Sequence, residues 1–204
     1  MKLEMFFDCA SPYSYLCFER LIPIADQYGL TIEWRPVLVG AIFNSVNPGI
    51  EYFKSKDKLP PRKLDYIGKD MRDWAELTGV KLTFPPAGHP VNSVKAGRAC
   101  HVLAPLGKLV PFARACFQAY FGDQRPISDD AVLLDISRQV GIDGDWLLAQ
   151  IARQDVKDAL RATVDEAVGR GVFGVPTIFL NRDDMYFGVD RLQLVEARLA
   201  QALR

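Results

Sequence analysis

The chain is expected to be an α/β protein in which a strand, helix, strand run is interrupted by a long block of helices and completed by a hairpin and a last helix. Three observations support this. The opening segment reads as a strand, most of the middle repeats its apolar residues at helical spacing, and an apolar strand follows Pro176 close to the end. The 204 residues are 49% hydrophobic, enough for one substantial core or for one domain carrying another inside it.

Lys2 to Asp8 forms the first expected strand, ended by Ala10-Ser11-Pro12. Pro12 suits the first turn of a helix, where its missing N–H costs nothing. Tyr15, Leu16, Leu21, Ile22 and Ala25 recur at helical spacing, and Gly29 stops that helix. Thr31 to Pro36 alternates enough for a second strand, giving a unit of the length that makes a parallel crossover. Gly40 to Pro61, broken by Asn47-Pro48-Gly49 and Pro60-Pro61, reads as a long loop, a kind of segment that is usually functional or disordered.

Helices are then expected over Tyr66 to Thr78, Asn92 to Leu106, a segment running to Tyr120, Ser128 to Val140, Asp145 to Gln150 and Val156 to Arg170. Ser128-Asp129-Asp130 and Asp143 supply N-terminal caps for two of them. Pro176 to Leu180 returns to strand, Asn181 to Asp184 turns, Met185 to Phe187 pairs back, and a helix starts at Asp190. The expected division is 1–40 with 171–204 for the α/β part and 41–170 for a mainly helical insertion.

Lys plus Arg equals Asp plus Glu at 25 each, so no basic surplus favours nucleic acid or an anionic membrane. The amino terminus has no apolar segment before a small-residue cleavage site, and the apolar stretch Gly171 to Asn181 is short and broken by Pro176. A cytoplasmic protein is the expectation. The four cysteines, Cys9, Cys17, Cys100 and Cys116, form no C-x-x-C, and with only His89 and His101 as histidines no metal site is expected. They read as small buried hydrophobes, with Cys9 singled out because it lies two residues from Ser11.

Ser11-Pro12-Tyr13-Ser14 stands where a thioredoxin-like redox protein carries Cys-Pro-x-Cys, and Gly174-Val175-Pro176-Thr177 supplies the second loop such a scaffold needs. Both sulfurs are missing. The predicted fold is thus a thioredoxin-like domain with an inserted all-helical domain, and the pattern suggests an enzyme that handles another molecule's thiol. A free thiol is only about 3% ionised at neutral pH, so something must stabilise the anion. A hydroxyl at a helix N-terminus can donate to the sulfur while the first-turn amides and the helix dipole add positive charge. Lowering a thiol pKa by two units corresponds to about 2.7 kcal/mol, within reach of two or three such contacts.

Ser11 is the better placed hydroxyl and Ser14 lies one turn deeper; the competing reading of Ser11 is a plain helix cap. The Val175-Pro176 bond is either an ordinary trans link or a cis one, which would turn neighbouring backbone groups outward to pair with an extended peptide. Asp190 either caps the last helix or receives an ammonium, and Lys63 is either a surface lysine or reaches a carboxylate.

Phe6-Phe7-Asp8, Ser11-Pro12-Tyr13-Ser14-Tyr15-Leu16, Trp34-Arg35-Pro36, Pro61-Arg62-Lys63 with Tyr66, Pro90-Val91-Asn92-Ser93, Gly171 to Thr177 and Asp190-Arg191-Leu192 closely resemble 2-hydroxychromene-2-carboxylate isomerases and kappa-class glutathione transferases. The resemblance implies a homodimer that binds glutathione as a cofactor, with Ser11 holding its sulfur as thiolate and a small aromatic carboxylate as second substrate. It implies cis–trans isomerisation in the breakdown of naphthalene and similar aromatics. In the same way it assigns Lys63 to a glutathione carboxylate, Val175, beside Pro176, to the cysteinyl backbone, and Asp190 to the γ-glutamyl ammonium. Asn47 matches a further contact, with Asn44 competing for the role, and Val189 replaces a residue that is usually polar.

Tyr13, Ser14, Phe84, Asn92 and Arg98 are the expected walls of the second-substrate pocket, with Tyr120 a further aromatic candidate and Asn92 equally a helix cap. The alternatives are a kappa-type transferase or peroxidase, in which glutathione is consumed, and a non-enzymatic thiol or peptide binder. A disulfide oxidoreductase is disfavoured because Cys9 and Cys17 do not form the adjacent pair that exchange needs.

Overall fold

In the computed structural model, which describes residues 1–52 and 60–203, the chain folds around one mixed four-stranded sheet. β1 (Leu3–Phe7) and β2 (Ile32–Pro36) run parallel, joined by α1 (Pro12–Gln27), with Leu3 opposite Ile32 and Phe7 opposite Pro36. β3 (Thr177–Leu180) lies antiparallel to both β1 and β4 (Asp184–Phe187), giving the order β2-β1-β3-β4. Between β2 and β3 come α2 (Val39–Val46), α3 (Pro61–Thr78), α4 (Val94–Leu103), α5 (Leu109–Phe117), α6 (Asp130–Gln139), α7 (Gly144–Ile151) and α8 (Gln154–Gly169), and α9 (Leu192–Ala202) closes the chain. This is a thioredoxin fold carrying a helical insertion.

Because side chains alternate across a strand, β1 feeds two cores. Leu3, Met5 and Phe7 enter the larger one with Leu16, Phe18 and Leu21 of α1 and Phe112 and Phe117 of α5. Phe6 enters the smaller one with Ile42 of α2, Val164 and Ala167 of α8, and Phe179 of β3. Phe7 is ringed by Phe18, Trp34 and Phe117 at centroid distances of 5.7, 5.9 and 6.3 Å, so this strand cannot slip by one residue without exchanging its two faces.

Three helices start as their sequences dictate. Ser11 caps α1, Asp129 caps α6 and Asp143 caps α7, each accepting from a first-turn amide. The expected loop over Gly40 to Pro61 is corrected: α2 occupies Val39–Val46, and α3 already begins at Pro61. The part of that loop over residues 53–59 lies outside the described residues. The cap of α2 is not local. Its Leu38 gives no side-chain bond, and the Asp8 carboxylate accepts from Val39 N at 2.8 Å instead.

All four cysteines are free and buried. Cys9 is only 2% exposed and packs against Cys100 and Cys116, so the thiol nearest to Ser11 is enclosed in the core. Among the described residues no helix is long and apolar enough to cross a membrane.

Candidate active site

The turn from β1 into α1 builds the site. Ser11 N donates to Asp8 O at 3.0 Å and Ala10 N to Asp8 Oδ1 at 2.9 Å, which fixes the turn before the helix begins. Ser11 Oγ accepts from Ser14 N at 3.1 Å, leaving its own O–H to donate at the positive end of α1. Ser11 is 6% exposed, and what it reaches is a cavity of about 730 Å³.

The cavity floor is Ser11, Pro12, Tyr13 and Val175, and α3 forms one wall through Leu64, Ile67, Gly68, Met71 and Arg72. Phe84, Pro85, His89 and Pro90 form another. Its lining is mostly apolar carbon with a few convergent polar groups, the composition expected of a small-molecule site. Tyr13 Oη donates to Asp70 Oδ2 at 3.0 Å, tying α1 to α3. Burial, that bond and the nearby Tyr66 and Asp190 push the Tyr13 phenol well above its usual range, which places the Asp190 carboxylate within electrostatic reach of the floor.

The peptide bond before Pro176 is cis. Among the described residues nothing is hydrogen-bonded to the N–H or C=O of Val175, while Pro176 O accepts from Gly188 N at 3.0 Å. Asp190 sits exposed in a short 3₁₀ turn after Gly188. Gly188 has φ +103, and a Cβ there would lie 2.5 Å from Asp190 Oδ1, so the glycine allows the carboxylate its position. Val189 is 3% exposed and belongs to the core.

The remaining expected residues divide. Lys63 is exposed in the first turn of α3, one residue before the wall begins at Leu64. Ser14 is fully buried, its Oγ 3.4 Å from Asp8 N, so it supports the turn and does not line the cavity. Asn47 turns back onto its own helix, donating from Nδ2 to Phe43 O at 2.9 Å, whereas Asn44 borders an adjoining chamber of about 290 Å³. Asn92 borders that chamber too, its Oδ1 accepting from Val94 N at 3.0 Å at the entry to α4, whose cap is Ser93. Arg98 lines neither space; its Nε is buried without a partner among the described residues.

Two residues escaped the sequence reading. Asp8, 3% exposed, accepts from Ala10 N and Val39 N, and burial pushes its carboxyl up to about 6 against those bonds. The signal was an Asp two residues ahead of a turn. His89 lines the cavity with Nδ1 3.0 Å from the hydroxyl of Tyr120, a contact between distant segments that no local pattern announces. Tyr120 itself is fully buried behind the wall. His101, by contrast, lies against Pro36 and Thr163, and burial lowers its pKa.

Comparison with known proteins agrees with this architecture. The profile of the DSBA-like thioredoxin domain matches residues 2–200. A 2-hydroxychromene-2-carboxylate isomerase of Pseudomonas putida is 28% identical over 207 residues, covering 100% of this chain and 97% of the relative. Glutathione S-transferase kappa 1 of Rattus norvegicus is 26% identical over 212 residues, 98% of this chain and 91% of its own length. A solved 2-hydroxychromene-2-carboxylate isomerase superposes with a TM-score of 0.88 at 27% identity, over 100% of this chain and 97% of that one.

Proposed function

Because the chain belongs to the DSBA-like thioredoxin domain family yet carries Ser11 and Ser14 where a redox pair would stand, we propose that it is a glutathione-dependent cis–trans isomerase of an aromatic catabolite such as 2-hydroxychromene-2-carboxylate. The observation that carries this reading is the Ser11 hydroxyl at the start of α1, facing a cavity of about 730 Å³ that Val175 also borders. Its relatives among the isomerases and kappa transferases support it.

The residues present fit glutathione. Val175 offers an N–H and C=O that are unpaired among the described residues to an extended peptide, Asp190 an exposed carboxylate to an ammonium, and Lys63 a cation to a carboxylate. Bound glutathione would supply a nucleophilic sulfur that adds reversibly to the conjugated substrate. Ser11 donates its O–H to that sulfur, and the first turn of α1 adds partial positive charge. Tyr13, Met71 and Phe84 exclude water and hold the aromatic ring. Within this reading 1–40 with 171–204 form the thioredoxin-like unit, 41–170 the insertion, and two copies of the chain a dimer.

Calorimetry with glutathione, followed by the chromene substrate under continuous monitoring of the trans product, tests the proposal. Product formation with glutathione recovered intact supports isomerisation. Consumption of glutathione instead assigns the chain to the transferase or peroxidase class, and no uptake of glutathione overturns the reading.

A further inference from the structure

His89 and Tyr120 have no part in holding a thiol, yet their geometry is specific. Tyr120 lies in the wide turn Gln118–Gly122 that continues α5, is fully buried, and is pushed above its usual pKa range chiefly by burial. It is therefore a phenol, with an O–H that must find an acceptor. His89 Nδ1 stands 3.0 Å from its oxygen. Donation from Tyr120 to Nδ1 leaves the imidazole proton on Nε2.

The segment carrying His89 is fixed rather than loose. Thr83 N donates to Phe121 O at 2.9 Å, Ala87 N to Gln124 Oε1 at 3.0 Å, and His89 N to Pro86 O at 3.1 Å. The Phe84 ring meets the imidazole edge-on at a centroid distance of 4.9 Å. A histidine held by its partner, its neighbour and its backbone on the wall of a mostly apolar cavity is a preorganised donor.

We infer that His89 is the electrophilic residue of this cavity: a neutral imidazole whose Nδ1 accepts from Tyr120 and whose Nε2–H donates to the carbonyl oxygen of an aromatic α,β-unsaturated keto substrate. The inference rests on the function proposed above and adds to it a group that acts on the second substrate. When electron density shifts onto that oxygen as the conjugated carbon is attacked, Nε2–H holds it by a hydrogen bond, with no net proton transfer, and the density returns when the nucleophile leaves. Tyr120 is the positioning residue, setting the tautomer without touching substrate.

Two arms test this. In the ligand-free protein, long-range proton–nitrogen NMR of His89 should show the Nε2–H tautomer, and Tyr120→Phe should abolish that preference. With glutathione bound, His89→Ala should lower kcat for the chromene substrate or for benzylideneacetone about 100-fold, and His89→Gln, which keeps an N–H donor, about tenfold. Both variants should retain native glutathione affinity within about twofold and the far-ultraviolet absorbance of its thiolate.

An Nδ1–H tautomer in the native protein overturns the inference, as does native turnover by His89→Ala. Loss of the thiolate absorbance in His89→Ala also overturns it, by moving the residue's action to the sulfur. A native chain that takes up no glutathione sinks the proposed function and the His89 role together, whereas the other outcomes leave that function standing.

Discussion

Arg170 and Glu4, 166 residues apart, form a two-pronged ion pair at 3.2 and 2.9 Å on the α8 side of the sheet. Arg170 also lies over the Phe179 ring at 4.0 Å, so one guanidinium joins the end of α8 to β1 and β3. The Glu4 side chain is 2% exposed and that of Arg170 20%, so removing Arg170 leaves a buried carboxylate held at one oxygen by the half-exposed Lys2 at 3.2 Å. Arg170→Met, which keeps the apolar stem, is expected to lower stability by about 3 kcal/mol in urea denaturation. A loss below about 1 kcal/mol would leave the pair without a structural role. Burial raises the pKa of Glu4, but the bonds and charges of Arg170 and Lys2 outweigh it and hold the group below its usual value. Its contribution is therefore present above the unfolded pKa and is lost as pH falls through the folded one.

Asp8 predicts the opposite slope. Its carboxyl is pushed up to about 6 from 3.8, chiefly by burial. This contribution is complete below 3.8 and is lost as pH rises through about 6. Asp8→Asn should flatten that part of the stability profile, read as the urea midpoint against pH; an unchanged slope would assign it to another group.

The proposed function gives Ser11 a second duty beside its helix cap. Ser11→Ala removes both the cap and the donor and should cost about 1 kcal/mol of stability together with at least about a hundredfold loss of kcat. Ser11→Asn can still cap α1 but offers only an amide N–H in a shifted position in place of the hydroxyl, so it should fold with near-native stability and turn over at least about tenfold more slowly than the native chain. Native turnover by Ser11→Asn would reduce Ser11 to a cap.

Gly188→Ala tests Asp190 without altering its charge. The added methyl meets the carboxylate at 2.5 Å and must displace it. Loss of one charge-assisted hydrogen bond, about 1.5–3 kcal/mol, predicts glutathione binding ten- to a hundredfold weaker by calorimetry. Undiminished affinity would show that Asp190 holds nothing.

Much of the architecture was legible because its signals are local. Pro12 after Ser11, Asp129 and Asp143 at helix starts and the alternation of Thr31 to Pro36 each depend on residues a few positions apart. What escaped depends on contacts across the chain. The start of α2 is capped by Asp8 from 31 residues away, and without that carboxylate the segment reads as a loop. The His89–Tyr120 pair spans 31 residues and has no periodicity to betray it. For Ser14, sequence adjacency to Ser11 suggested a second hydroxyl in the cavity; helical rotation carries it into the core instead.

The floor of the cavity and its walls come from different stretches of the chain. Ser11 and Val175 belong to the sheet-centred part, while Leu64, Ile67, Gly68 and Met71 ride on a helix that merely leans over it. Drift along that single helical surface can therefore remould the walls of the chamber while its base is inherited untouched.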